Sequence, residues 1–171
     1  MRTYRMADPD DRFIGLYEQS FSEIEKVPLE NLRRVLGKGA VLDIFEDGGF
    51  VGFVYSFISG DAMIIIYFAT APELRGKGYG SRILDSIRGM YRDKRIFLIT
   101  EPIDDTAPDN DLRIRRQDFY RRNGCRDTGI RILSDDAWFD AMLVQGELDK
   151  REMEDIVSLY EKIHNGRERS S

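Results

Sequence analysis

The stretch from Pro72 to Leu84, "PELRGKGYGSRIL", places Gly76, Gly78 and Gly80 at alternate positions, flanks them with Arg75 and Lys77, and runs straight into residues at helical spacing. Before it stands "AMIIIYFAT", residues 62–70, a β-branched and aromatic run. Strand, glycine loop and helix in that order present backbone N–H groups to an anion. The first turn of a helix has unpaired donors and the positive end of its dipole, and glycines let the main chain approach closely. Two familiar phosphate loops fail on spacing. The Gly-Lys step here is followed by Gly78 where a Walker loop needs Ser or Thr, and the third glycine arrives one position too early for the dinucleotide fingerprint. The bland alternative is a flexible turn carrying two solvated cations.

Working outward, the hydrophobic period switches repeatedly, with a turn residue at each switch. "RTYRM" reads as a short first strand, and after "DPDD" the spacing of Phe13, Ile14, Tyr17 and Phe21 predicts a helix. Leu29, Leu32 and Leu36 predict a second one after Pro28, closed by the glycines at 37 and 39. "AVLDIFED" and "FVGFVYSFI" read as a hairpin across Gly48 and Gly49, and "AMIIIYFAT", apolar on both faces, as a central strand with helices on each side. Beyond the glycine loop, Ile83, Leu84, Ile87, Met90 and Tyr91 trace a helical face, and "RIFLIT" should lie next to the central strand. A polar loop, "EPIDDTAPDND", then leads into a helix through "LRIRRQDFYRRNG" that Gly124 stops. "CRDTGIRIL" and "AWFDAMLVQ" predict a closing hairpin. A final helix carries the stripe Met153, Ile156, Val157, Tyr160 and Ile163, which either packs back on the sheet or binds a second subunit as a homodimer.

At 171 residues the chain is expected to form one domain, with a core over about 1–145, an extra helix over 147–164 and a polar tail over 165–171. The longest wholly apolar run, "AMIIIYFA", is far short of the roughly 20 residues a membrane helix needs, and the N-terminus lacks the apolar centre of a secretory signal. The single cysteine excludes an internal disulfide, which makes a reducing cytoplasm the simplest home. With one cysteine and one histidine, no metal site of such ligands is expected; Cys125 reads as a small apolar side chain entering a strand and His164 as a surface residue in a polar tail. A net charge of −5 suits a cationic partner better than a nucleic acid.

"LRGKGYG" matches the pattern R/Q-x-x-G-x-G/A of the GNAT superfamily of N-acetyltransferases, with Arg75, Gly78 and Gly80 on its specified positions. "FATAPEL" resembles that family's "L-x-V-x-P-E-x" strand end, with Thr70 where valine is usual, and "FYRRNGC" is similar to its "x-Y-x-x-x-G-F", matching Tyr120 and Gly124. The element order agrees as well. The resemblance implies an α/β (α+β) fold with a mixed, mostly antiparallel central sheet flanked by helices, and a splayed strand pair holding acetyl-coenzyme A (acetyl-CoA) as cosubstrate. It implies that main-chain amides from Lys77 to Ser81, including Tyr79 and Gly80, hold the pyrophosphate, with Arg75 and Lys77 as background charge beside Gly76 and Gly78. The backbone of Phe68 and Thr70 is expected to pair with the pantetheine as an extra strand would.

The implied reaction is acetyl transfer to a primary amine of a small molecule or peptide, by direct attack in a ternary complex. It needs a neutral nucleophile, a donor for the oxyanion and a proton for the departing thiolate. A main-chain amide near Thr70 is the implied oxyanion donor, and Tyr120 the implied acid; the bland reading makes Tyr120 only the edge of a helix. Glu101, ending "RIFLIT", is the candidate base, direct or through water, with cation attraction or a solvated strand end as alternatives. The acidic run from Glu101 to Asp111 favours a cationic amine or is simply a solvated loop. The arginines of "RIRRQDFYRR" cover a solvent face, pair with Asp111 and Asp118, or set one guanidinium near the cofactor's 3′-phosphate; no aromatic platform for nucleic acid accompanies them. Two departures stand out: the family often has an asparagine, contacting the pantetheine, after the strand that here ends at Glu101, and a small residue on the next helix where this chain has Arg116. Two other classes stay open at this point, a non-catalytic acyl-CoA sensor on the same fold and a loop that binds some other phosphate compound.

Overall fold

The computed structural model describes residues 1–23 and 25–165. Strand β1 (Arg2–Arg5) is followed by helix α1 (Asp11–Ser20), which starts where the Asp10 carboxylate accepts the amides of Arg12 and Phe13 at 3.1 Å each. Helix α2 (Leu29–Val35) begins directly after Pro28. Strands β2 (Ala40–Glu46), β3 (Phe50–Ser59) and β4 (Ala62–Thr70) form a meander. A short 3-10 turn (Pro72–Leu74) and the glycine loop lead into α3 (Tyr79–Met90). The chain continues through β5 (Arg95–Thr100), α4 (Asn110–Arg122), β6 (Arg126–Ser134), β7 (Ala137–Gln145) and α5 (Lys150–Asn165). The sheet order is β1-β2-β3-β4-β5-β7-β6, antiparallel everywhere except between β4 and β5. The expected mixed, mostly antiparallel architecture is the one observed.

Each face of the sheet carries its own core. On one, α1, α2 and α5 bury Phe13, Tyr17, Leu32, Met153, Ile156 and Tyr160 against Ile64, Tyr55 and Phe57. On the other, α3 and α4 bury Ile83, Leu84, Ile87 and Tyr120 against Met63, Ile65, Leu98 and Met142. β4 therefore feeds alternate side chains to both cores, as a central strand apolar on both faces should.

The feature that positions the site is a break in pairing. β4 and β5 are in register only from Ala62–Arg95 to Ile65–Leu98, although β4 runs on to Thr70 and β5 to Thr100. On the other edge of β4, β3 pairs Tyr55 with Tyr67 and then Ser56 with Ile65, which leaves Ile66 as a bulged residue. A bulge bends its strand and steepens the twist, and this one sits at the residue after the last β4–β5 pair. The outer neighbours hold on, β3 up to Gly52–Thr70 and β7 up to Thr100–Asp140. A gap thus opens between two strands that are each fastened on their far side.

Two expectations change, those for His164 and for Met90. His164, read as a surface residue, is 1% exposed: its Nε2 lies 2.9 Å from the Tyr55 hydroxyl and its Nδ1 3.2 Å from the Tyr160 carbonyl. The reason is helical phase, since α5 runs to Asn165 and position 164 falls four residues after Tyr160, on the same buried stripe. That stripe packs back on the sheet, so it no longer supplies a surface for a second subunit. Met90, expected on the apolar face of α3, is exposed; Tyr91 turns inward instead, donating to the buried Asp43 carboxylate at 2.6 Å. Cys125 is buried next to the start of β6, as read, while residues 166–171 of the expected tail lie outside the described residues. Among the described residues no helix is long and apolar enough to cross a membrane, and no group of metal-binding side chains occurs.

Burial pushes the His164 imidazole down from 6.5 to about 4. Between those values the unfolded chain binds more protons than the folded one, so stability is lost as pH falls through this window. His164→Gln should remove that component. Urea unfolding of wild type and variant at about pH 7 and about pH 5 is expected to show a wild-type loss larger by about 2 kcal/mol; parallel losses would show that the imidazole is not held neutral.

Candidate active site

A cleft of about 970 Å³ lies against the last residues of β4, beyond the point where its pairing with β5 ends. Its wall includes Phe68, Phe119 and Tyr120, which pack in the α3–α4 core, and Ala69 and Phe21, which pack in the α1–α5 core. The cleft therefore passes through the sheet from one face to the other. That is the geometry needed for two reactants to meet from opposite sides.

On the α3 side, Gly76 and Gly78 have φ of +75° and +83°, the left-handed region that glycine enters without Cβ strain. Gly78 is the N-cap of α3 and offers no capping side chain, and the first intrahelical bond runs from the Arg82 amide to the Gly78 carbonyl at 3.2 Å. The amides of Tyr79, Gly80 and Ser81 are left with neither an intrahelical acceptor nor a cap. At Gly80 the constraint is space, because a Cβ there would lie 2.9 Å from the Phe119 ring. This glycine lets α3 and α4 approach closely enough to share one cleft. Uncapped donors, a close backbone and the positive helix end together fit an anion such as a pyrophosphate.

Of the residues singled out in the sequence, Phe68, Thr70, Arg75, Gly76, Gly78, Gly80, Ser81 and Tyr120 line this cleft. The Arg75 Nε donates to the Thr70 carbonyl at 3.2 Å, bracing the loop on the strand end and occupying that carbonyl. Lys77 and Tyr79 do not line the cleft. The Tyr79 hydroxyl donates to Asp47 at 2.7 Å in the β2–β3 turn, with Arg82 on the same carboxylate at 3.3 Å, so only the main chain of Tyr79 faces the anion position.

Tyr120 is 9% exposed, and its hydroxyl has no hydrogen-bond partner among the described residues. Burial pushes its phenol up to about 12, against the opposing pull of the Arg116 charge. Glu101 lies outside the cleft lining. Arg113 and Arg116 hold its two oxygens at 2.8 and 3.2 Å, and its carboxyl titrates above the usual range because of burial first and the adjacent Glu25 carboxylate second. The acidic run is largely engaged: Asp104 accepts the Thr106 amide and hydroxyl, Asp109 pairs with Arg113, and Asp105 and Asp111 remain exposed.

Sequence reasoning missed Ser20, whose buried hydroxyl lacks a partner, as a wall residue. Phe21, read only as part of a helical stripe, lies just past the end of α1 with its ring 4.9 Å from that of Tyr67. From α4 the wall also takes Leu112, Arg115, Arg116 and Arg122, and from the cap just past its end Asn123.

A family model described as "Acetyltransferase (GNAT) domain" matches residues 38–125. No curated protein sequence matches the chain. Among solved structures, a protein from Bacteroides thetaiotaomicron described as a GNAT-family acetyltransferase superposes with a TM-score of 0.76 at 24% identity, covering 98% of this chain and 100% of the other. An aminoglycoside 6′-N-acetyltransferase in complex with coenzyme A gives 0.65 at 15% identity over 87% and 100% of the two chains. A Bacillus subtilis acetyltransferase in complex with CoA gives 0.59 at 13% identity over 85% and 99%.

The contact between Gly80 and Phe119 makes a stability prediction. Gly80→Ala should destabilise by about 1 kcal/mol through overpacking, and Phe119→Leu in the same chain should relieve part of that cost. Strict additivity of the two changes in urea unfolding would show that the ring does not limit this approach.

Proposed function

The chain belongs to the GNAT acetyltransferase family, whose model matches just over half of it, and on that premise we propose that it transfers the acetyl group of acetyl-CoA to a primary amine of a small molecule or peptide, by direct attack in a ternary complex. The observation that carries this reading is the cleft through the sheet, with uncapped α3 amides on one side and the Tyr120 hydroxyl in its wall. Bound acetyl-CoA supplies the activated acetyl thioester. The amides of Tyr79, Gly80 and Ser81 bind its pyrophosphate, and the edge of β4 past Ile65, which has no strand partner, binds the pantetheine through the backbone of Phe68 and Thr70. An amide near Thr70 stabilises the developing oxyanion. The acceptor enters from the α1 side, past Ser20 and Phe21.

Tyr120 holds its proton at Oη throughout the neutral range. A phenol near 12 is a weaker acid than a thiol near 8.5 by ~3 pKa units, so full proton transfer to sulfur is uphill by on the order of 4–5 kcal/mol. Tyr120 therefore acts first as a hydrogen-bond donor to the charge building on sulfur, and Arg116 eases the later transfer by favouring the phenolate. Glu101, outside the cleft lining and tied to two guanidiniums, takes the ammonium proton at the far end of a water chain rather than by contact. The net negative chain and the Glu25–Glu101 carboxylates favour a cationic acceptor. A reducing cytoplasm is the proposed compartment, supported by the single, buried Cys125.

Isothermal titration of acetyl-CoA, followed by thiol release against polyamines, aminoglycosides, amino acids and lysine peptides, tests this directly. Binding with release on one amine establishes the reaction, whereas binding with no release on any of them would leave only an acyl-CoA-binding module. Gly78→Glu puts a carboxylate at the anion site, where a Cβ meets no other atom within 4 Å but is strained by a φ of +83°; it should lower the unfolding midpoint while unfolding stays cooperative, and abolish coenzyme A binding by the folded protein. Tight binding by that variant would remove the loop assignment. Tyr120→Phe should lower kcat about 10- to 100-fold with the coenzyme affinity unchanged, and an unaltered kcat would remove Tyr120 from the reaction.

A further inference from the structure

Most large apolar side chains of this protein are buried, and the exceptions are unevenly placed. Met90 and Leu159 stand apart, on α3 and α5, whereas Ile103, Leu112, Leu133 and Trp138 belong to the elements around the outer end of β5. Trp138, the chain's one tryptophan, is 52% exposed and Leu133 48%. The two are direct partners in the β6–β7 ladder, so they stand side by side on one face of the hairpin. Along β7, Met142 and Val144 point into the α3–α4 core and Asp140 accepts from Gln117 of α4. Trp138 follows the same alternation, and beyond Asp140 that face is open to solvent.

This apolar pair adjoins the cleft. Thr100, the last residue of β5, pairs with Asp140, so Trp138 lies about 7 Å past the end of β5. Gln117 Nε2 donates to both the Glu101 carbonyl, at 3.1 Å, and the Asp140 carboxylate, at 3.2 Å. Glu25, from the segment joining α1 to α2, stands against the Glu101 carboxyl. The α1 side of the cleft, the end of β5 and the base of the hairpin therefore meet around Glu101. Ile103 follows two residues later, and Leu112 lines the cleft itself.

The charges nearby are of one sign. Asp105 and Asp111, before and in the first turn of α4, and Asp135 and Asp136, at the hairpin tip, are exposed and make no ion pair among the described residues. The tip residues have φ of +46° and +66°, a turn in which glycine is favoured at the second position, so Asp136 brings a charge at some backbone strain. Arg131, on the same face as Leu133, is already matched by Asp140 at 3.3 Å. A second copy of this chain would bring these aspartates toward their own kind. A polyamine would answer the charge and leave the indole in water. Cations interleaved with apolar side chains answer both.

We propose that the open face of the β6–β7 hairpin docks an extended polypeptide of basic and apolar residues whose amine enters the cleft past Glu101, so that the acceptor is a peptide or protein amine rather than a free small molecule. The inference rests on the acetyl-transfer reading above and narrows its acceptor class. An extended chain advances ~3.3 Å per residue, so a lysine in the cleft leaves its next few neighbours over the hairpin.

The test compares an alternating leucine–lysine peptide, a glycine–lysine peptide of the same length, and spermidine. Titrated into wild type, the leucine–lysine peptide should shift the Trp138 emission to the blue, and spermidine should leave it unchanged. In thiol-release assays its KM should be about 10-fold below that of the glycine–lysine peptide. Raised salt should weaken both peptides and preserve their ratio, because only the charge contribution is screened. Trp138→Ser/Leu133→Ser, at two exposed positions, should keep the unfolding midpoint and lose the ratio, with spermidine turnover as the reference. Asp135→Asn/Asp136→Gly, which suits the turn, should instead raise both peptide KM values alike. Spermidine used as well as the leucine–lysine peptide by wild type would overturn the docking face and leave acetyl transfer intact. So would a ratio that survives in the serine variant, or a Trp138 emission that shifts with protein concentration alone, which would assign the face to a second copy. No thiol release with any of the three amines would overturn the underlying reading, and the docking face with it.

Discussion

Everything in this molecule that bears on chemistry depends on one interruption of backbone pairing. A sheet is normally impassable, because adjacent strands lie less than ~5 Å apart and satisfy each other's polar groups. Here the extra residue at Ile66 bends β4 away from β5 right after the Ile65–Leu98 pair, while β3 and β7 hold the two strands on their outer edges. The gap is therefore a wedge with fixed sides, and the unpaired edge it exposes can be satisfied by a ligand. The 3-10 turn starts two residues after β4 ends, so the bend in β4 also determines where α3 begins. Edge, turn and helix start face one cleft because one bulge orients all three.

The wall contributed by α4 has an electrostatic logic of its own. Arg116, which stands where the family usually has a small residue, and Glu101 are partners at 3.2 Å. Either would be costly alone: a half-buried carboxylate beside Glu25 would be driven toward neutrality, and an arginine in the wall would leave charge beside an apolar ring pair. Together, with Arg113 on the second carboxylate oxygen, they form a strut between the end of β5 and the middle of α4. The strut holds a positive charge near Tyr120, where it partly offsets the effect of burial on the phenol.

Much of the fold was legible in the sequence, since each element announces itself by a change of hydrophobic period bounded by glycine, proline or aspartate. The glycine loop was legible too, because an uncapped helix start after a strand has few other uses. The splay had no signal of its own. Ile66 sits in an unbroken run of β-branched and aromatic residues with neither glycine nor proline to mark a bulge, and the splay entered the sequence reading only through the family resemblance. Side-chain direction in a tight turn was equally hidden: the Tyr79 hydroxyl turns to Asp47, which no spacing announces, while its main-chain amide stays at the helix start. His164 was misjudged because the stripe was followed only to Ile163; the histidine completes it by an i to i+4 step from Tyr160. For Ser20 and Phe21, helical spacing identifies a buried face but says nothing about which cavity lies past the helix end.

The α1 side of the cleft is shaped by that helix end, and its foundations lie in the core. The Tyr17 hydroxyl donates to the Val27 carbonyl at 2.8 Å and accepts the Val27 amide at 2.9 Å, while the Tyr67 hydroxyl donates to the Glu25 carbonyl at 2.6 Å. Both tyrosines are buried, and their rings meet edge to face at 5.1 Å. The segment joining α1 to α2 is thus tied down by phenols from the helix beneath it and from β4, the bent strand itself. Phe21 packs on the same Tyr67 ring, so the α1-side wall of the cleft and the free edge of β4 share a common support. A substitution at Tyr67 would loosen both at once. Changes at Ser20 on one side and on α4 at the other avoid that shared ring, and each would alter one wall of the cleft alone.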